Sequence, residues 1–181
     1  QDTIGYPKSI NVSTGKNRLE HILKCIDVLK PGSLYMCASV QSMDKDVLKN
    51  ISRKNIAYTD FFDIQKELHK RNPNYVASSE MILCLPGETL ESFIAGVGEL
   101  INSGVDLILP YTLMLLEGTE LNDQEIRTKY SYQTRFRIVP RSFSRYFDTT
   151  VLEIEEVAIA SDTMSFDDYI DARCFSLCLK T

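Results

Sequence analysis

Short apolar runs alternate with amphipathic stretches over the first 116 residues, and no other feature constrains the fold as much. Residues 9–13 (SINVS) read as a short strand that Thr14 and Gly15 break. From 17 to 30, Leu19, Ile22, Leu23, Ile26 and Leu29 fall at the helical period, and Pro31-Gly32 stops that helix. Residues 34–40 (LYMCASV) form a near-continuous apolar run, the pattern of a strand covered on both faces in a parallel sheet. A short helix carrying Val47, Leu48 and Ile51 follows, capped by Ser42 or Asp44. A second helix runs over 59–71 to Asn72-Pro73, and 77–85 is the next strand. Thr89 caps the clearest helix, with Leu90, Phe93, Ile94, Val97, Leu100 and Ile101 on one side and Gly104 as its stop. A further apolar strand starts at Val105 and extends past Pro110 to Leu116. Strand–helix–strand repetition is the grammar of βαβ units, so a four-stranded parallel sheet with helices on one side is predicted, with open edges that call for a partner half.

After residue 120 the character changes. Between 126 and 147 there are six basic residues, no acidic ones and six aromatics; between 148 and 181 there are eight acidic residues and two basic ones. This asymmetry marks a C-terminal extension over 122–181, apart from the α/β unit of 1–121. Residues 151–160 read equally as strand or helix, and Phe166, Tyr169, Ile170, Arg173 and Leu177 suggest a final helix. Arg135 and Arg137 share one face of a strand, so the basic stripe either meets a polyanion such as RNA or pairs with the acidic segment beside it; pairing is the simpler reading.

The net charge of −5 argues against general nucleic-acid binding. No stretch nears the ~20 apolar residues that cross a bilayer. Five cysteines without a framework spacing point to a reducing cytoplasm. Cys37 and Cys84 lie in apolar runs and read as packing residues, and Cys174 with Cys178 share a helix face, where packing is favoured over ligation. His21 and His69 read as surface residues. Gln1 is not an initiator Met, and the chain reads as part of something longer.

Parallel α/β sheets bind ligands beyond the C-terminal ends of their strands. The candidate positions are therefore Ser13-Thr14, residues 39–42, residues 85–88 and residues 112–117. Gln41 and Ser42 are uncharged hydrogen-bonding groups at a strand exit, Pro86-Gly87 allows close backbone approach, and the helix from Thr89 aims its first N–H groups at the same rim. These features suit a nucleoside-like ligand. Read on their own, Ser42 and Thr89 are helix caps, Glu88 bonds turn N–H groups, and Arg53 is a solvated helix end. There is no phosphate-loop motif, no Gly-x-Ser-x-Gly elbow and no zinc signature.

Three ordered segments carry a resemblance. Ser39-Val40-Gln41-Ser42-Met43-Asp44, followed by Val47-Leu48 and Ile51-Ser52-Arg53, resembles the "QS, VLK, R" segment of radical S-adenosylmethionine (radical SAM) enzymes. The run from Leu85 to Ser92 (LPGETLES) is similar to their "LPGET-ES" segment, and the run from Leu115 to Leu121 is similar to their "GT-L" segment. The likeness leans toward the cobalamin-binding branch, where the stretch 134–143 also has a counterpart. It implies a partial TIM-type (β/α)6 barrel, of which this chain is about the third to sixth strands, the N-terminal half of the barrel being its missing partner. It further implies a 4Fe–4S cluster held by a CxxxCxxC loop, S-adenosylmethionine chelated to that cluster, reductive cleavage to a 5′-deoxyadenosyl radical and, through the cobalamin branch, methyl transfer.

By the same resemblance, Ser39 and Gln41 lie beside the ribose or methionine part of the ligand. Arg53 pairs with its carboxylate, backbone at Leu85 and Pro86 packs on the adenine, and Leu113 closes the other side. The departures are plain: the chain has no CxxxCxxC, and Cys84 stands where the family often has Gly. The chain alone is therefore expected to be inactive. A non-catalytic interaction module that self-associates through its open strand edge is the competing expectation.

Overall fold

A computed structural model describes residues 3–13, 19–30, 33–37, 39–53, 58–72 and 75–179. The breaks expected at Thr14-Gly15, Pro31-Gly32 and Pro73, and the site position Thr14, lie outside the described residues. The elements begin β1 (Ile10–Ser13), α1 (Leu19–Val28), β2 (Leu34–Cys37), α2 (Lys45–Asn50) and α3 (Tyr58–Arg71). They continue with β3 (Ser78–Leu83), α4 (Leu90–Asn102), β4 (Leu107–Thr112), a 3-10 turn (Glu120–Asn122) and α5 (Gln124–Lys129). The chain ends in β5 (Gln133–Tyr146), β6 (Thr149–Ala160) and α6 (Phe166–Cys178).

β1 to β4 form a four-stranded sheet in the order β1-β2-β3-β4, each neighbouring pair parallel. Strands that are neighbours in sequence are neighbours in space, so every crossover runs the same way and the helices gather on one face. The packing agrees. Met81 of β3 meets Gly96 of α4, where its methyl lies 3.0 Å from the place a Cβ would occupy. Met81, Leu83, Phe93, Val97 and Leu100 are buried in one core. Val12, on the same face by register, packs with Leu23 and Ile26 of α1 and Leu68 of α3. Burying a side chain such as Phe93 contributes roughly 1.5–3 kcal/mol each.

α4 follows its sequence signals. Thr89 and Ser92 form a reciprocal capping box, and Ser103 ends the helix one residue before Gly104. β2 is shorter than the apolar run suggested: regular pairing ends at Cys37, and the chain rejoins β3 at an isolated bridge between Gln41 and Met81. There the N–H groups of Val40 and Gln41 both donate to the Glu80 carbonyl, at 3.1 and 2.9 Å, and Gln41 takes φ +66°. This two-against-one pairing is a bulge, which bends the strand exit.

The segment 151–160 is a strand, and it pairs antiparallel with β5 in a long two-stranded ribbon. One ion pair crosses the ribbon, Arg137 with Glu155; Arg127 of α5 reaches Glu156 at its base, and Arg145 reaches Asp148 at the turn. Among the described residues of the ribbon, burial is confined to its base, at Val157, Ala158, Ile159 and Ala160. It continues the edge of β4, with the Leu115 N–H donating to the Glu156 carbonyl at 3.0 Å and the Ala158 N–H to the Leu113 carbonyl at 2.9 Å. α6 packs on α4, and its Tyr169 hydroxyl lies 3.1 Å from the Thr112 hydroxyl.

Three sequence expectations need correction. Cys174 and Cys178 are both exposed on α6 rather than packed, because the helix turns Ala172 and Ser176 inward. Cys37 is half-buried among polar groups rather than sealed in a core, because it lies on the sheet face away from the helices. His69 is half-buried and lies 3.0 Å from Asp106, whose carboxylate also receives the Ala77 N–H at 2.8 Å.

Candidate functional site

The C-terminal strand ends bring residues 39–42, 84–88 and 112–115 together at one end of the sheet. Backbone bonds tie these exits to one another. The Ile82 N–H donates to the Gln41 carbonyl at 2.8 Å, and the Leu113 N–H to the Leu83 carbonyl at 3.1 Å. The rim is thus an extension of the sheet and inherits its rigidity.

The six expected ligand residues divide into two layers. Ser39, Gln41 and Arg53 are half-buried at the surface. Ser39 donates its hydroxyl to the Glu80 carboxylate, and its carbonyl accepts from the Arg53 guanidinium at 3.4 Å. Arg53 is held from below by its backbone N–H, which donates to the Leu48 carbonyl at 2.8 Å. Among the described residues no carboxylate pairs with this guanidinium. Among those residues it is a half-desolvated fork with donors to spare, the arrangement that favours a carboxylate ligand. Leu85, Pro86 and Leu113 form the second layer and are buried, Leu85 and Leu113 in the main core. They back the rim rather than face solvent.

The turn 84–88 is built around buried groups. Cys84 adopts φ +64°, the left-handed region that costs an L side chain energy. Its thiol is buried 3.5 Å from the Met164 sulfur, and burial first, then the Glu88 charge, push it up to about 12. Gly87 has φ +85°, and a Cβ there would stand 2.8 Å from Asn50 Nδ2. That amide donates to the Pro86 carbonyl at 2.9 Å, so Gly87 is required twice over.

Glu88 is fully buried. The Ser42 hydroxyl donates to its Oε1 at 3.0 Å, and the Leu85 backbone also bonds it. Oε2 has no hydrogen-bond partner. Burial, reinforced by the nearby Asp44 charge and opposed by the Ser42 bond, raises its pKa to about 8. The carboxyl is thus held neutral at pH 7, and it ties the 42 exit to the 88 exit. Ser42 is the tie to Glu88, and Asp44 is the cap of α2, accepting from the N–H groups of Asp46 and Val47 at 2.8 and 3.0 Å. Sequence reasoning named Glu88 and Ser42 separately but missed Glu80 and Asn50. An acid in the middle of an apolar strand was the available signal for Glu80.

No protein-family model matches the chain. The cobalamin-dependent radical SAM methyltransferase TokK of Streptomyces tokunonensis is 33% identical over 178 residues, which cover 95% of this chain and 25% of that protein. The 2-(S-pantetheinyl)-carbapenam-3-carboxylate methyltransferase of Streptantibioticus cattleyicolor is 31% identical over 176 residues, covering 94% of this chain and 25% of that protein. The chain spans about a quarter of the length of these curated relatives. Among solved structures, coproporphyrinogen III oxidase (HemN) of Escherichia coli, described as a radical SAM enzyme, superposes with a TM-score of 0.46 at 19% identity, over 57% of this chain and 23% of that one. Two relatives above 30% identity align along nearly the whole chain, and the three motif segments of the sequence meet at one rim. Over the quarter of these relatives' length that it spans, this chain is similar to a radical S-adenosylmethionine methyltransferase and to a second methyltransferase.

Proposed function

We propose that this chain is the S-adenosylmethionine side of a radical SAM methyltransferase, the third to sixth strands of a (β/α)6 barrel with residues 122–181 as a C-terminal extension. The observation that carries the reading is the Arg53 guanidinium, half-buried at the strand ends, braced on the Ser39 carbonyl and unpaired with any described carboxylate. It fits the methionine carboxylate. Ser39 and Gln41 offer hydrogen bonds to the ribose or methionine portion, and the backbone of Leu85 and Pro86 with Leu113 forms the apolar wall that keeps water from the adenine side. Neutral Glu88 fixes the two exits without adding charge beside the ligand. When bound and reductively cleaved, S-adenosylmethionine supplies a 5′-deoxyadenosyl radical.

The described residues do not fit a cluster site: no three His, Cys, Asp or Glu side chains come together among them. On this reading the cluster ligands belong to the missing barrel half and any cobalamin to a separate domain, and the chain alone is inactive. The methyl transfer and the cobalamin rest on the relatives' names. A cytoplasmic setting follows from the redox argument on cysteine. No described helix is long and apolar enough to cross a membrane.

The test is calorimetric titration of the 181-residue chain with S-adenosylmethionine. Arg53→Ala should weaken binding about tenfold or more, the value of one charge-assisted hydrogen bond. An exposed control, Glu91→Ala on α4, should leave it unchanged. Equal affinities for both variants would sink the proposal.

A further inference from the structure

The sheet has a second face, and a polar cluster sits on it. Ser79, Met81 and Leu83 turn toward the helices, so alternation puts Ser78, Glu80 and Ile82 on the opposite side. Register aligns Cys37 with Ser78, Leu109 with Glu80, and Tyr111 with Ile82. Cys37, Ser39, Ser78, Glu80 and Tyr111 therefore share one face, directly below the rim that carries Arg53. The group is coupled as well as adjacent. The Ser39 hydroxyl donates to the Glu80 carboxylate. Ser78, Ser39 and Glu80 all act on the Cys37 thiol, which is pushed up by burial first. Burial, then the charges of Glu80 and Cys37, push the Tyr111 hydroxyl up.

A carboxylate in the middle of a sheet strand is costly unless paired or solvated. Among the described residues no Lys or Arg pairs with Glu80. The face is also accessible: Glu80 and Cys37 are half-buried and Tyr111 is 48% exposed. Leu109 and Ile82, beside them on the same face, supply an apolar border.

The geometry points to a substrate subsite on this face, in which Glu80, flanked by Ser39, Cys37 and Tyr111, accepts a cationic or hydrogen-bond-donating group such as a protonated amine or an amide N–H. The same charge turns a carboxylate-bearing end of a substrate away, so Glu80 orients as well as binds. The word substrate rests on the reading of the rim as the S-adenosylmethionine site; the charge preference does not.

Cys37 makes the preference measurable, because it reports from inside the cluster. Its thiolate displaces methanesulfinate from a methanethiosulfonate reagent and keeps the transferred thioalkyl group as a mixed disulfide. The probes are aminoethyl methanethiosulfonate, which is cationic, and sulfonatoethyl methanethiosulfonate, which is anionic. Rates are read on the full chain by peptide mass spectrometry, with exposed Cys25 and Cys174 as internal references. The cationic-to-anionic rate ratio at Cys37 should exceed that at the references by about tenfold, the lower end of focusing by a lined cleft. Comparing two reagents at one thiol cancels its thiolate fraction. Glu80→Gln should bring the Cys37 ratio down to the reference value, and Glu80→Asp should keep it high. A Cys37 that neither reagent labels, a ratio equal to the references in the wild-type chain, or a ratio that survives Glu80→Gln would each overturn the subsite. Because no S-adenosylmethionine is present, a charge-selective face in a chain that fails the Arg53 titration would leave this subsite standing and remove the ligand reading alone.

Discussion

Glu88 is the residue whose chemistry has the clearest consequence. Its folded pKa of about 8 lies above the usual carboxylate value of 4.5. Between those values the folded chain holds a proton that the unfolded chain has released, so stability falls as pH rises through that window and is fully present below it. Each tenfold difference in proton affinity between the two states is worth ~1.4 kcal/mol. Chemical denaturation at pH 5 and pH 8.5 should show wild type losing a few kcal/mol relative to Glu88→Gln, whose amide can still accept the Ser42 hydroxyl. Parallel curves for the two proteins would mean that Glu88 ionises freely. Residue-scale chemistry was only partly legible in the sequence. Thr89 and Gly104 announce their roles because capping and left-handed backbone have strong residue preferences. Gln41 and Cys84 do not, since each holds a positive φ that tertiary bonds impose against local preference. Glu80 was hidden for a different reason: alternation shows which residues share a face, but not whether that face is a core or a site.

At the scale of elements, the ribbon of β5 and β6 depends on its base. Arg127 forms a two-pronged pair with Glu156, at 2.9 and 2.5 Å, and its Nη1 also donates to Asn122 Oδ1 at 2.8 Å. The Thr134 hydroxyl adds a second donor, and these bonds hold the Glu156 carboxyl below its usual range, Arg127 first. Arg127 and Glu156 side chains are 24% and 17% exposed, whereas Arg137, paired with Glu155 further out, is 44% exposed. Thermal unfolding should therefore show Arg127→Ala costing about 1–3 kcal/mol and Arg137→Ala about 0.5 kcal/mol or less. Equal costs would mean that the base pair is as solvated as the outer one. The opposite charges of this region were visible in the sequence. The ribbon was not, because 151–160 satisfies both periods and only the cross-strand pairs in space decide between them. The same holds for β2, whose apolar run continues past Cys37, where its regular pairing ends.

The whole molecule combines a parallel sheet read easily from sequence with a ribbon and a helix that extend one edge. Sequential strand order is the commonest arrangement of successive βαβ units, and with right-handed crossovers it gathers the helices on one face, so element assignment carried most of the main sheet. The site was legible as a set of strand ends; its division into a half-buried polar layer and a buried apolar one was not, since both layers come from the same short exits. On the outer ribbon, Phe136, Ile138, Phe143, Leu152 and Ile154 are all exposed. The central claim is that the strand-end rim is a ligand site for S-adenosylmethionine, and its most direct test is a titration of the isotope-labelled chain followed by backbone amide shifts. The account predicts saturable shifts at Ser39, Gln41 and Arg53, with smaller ones at Leu85 and Leu113 and none along the outer ribbon at Phe143 or Ile154. Shifts confined to the ribbon, or no saturable shifts at all, would contradict it.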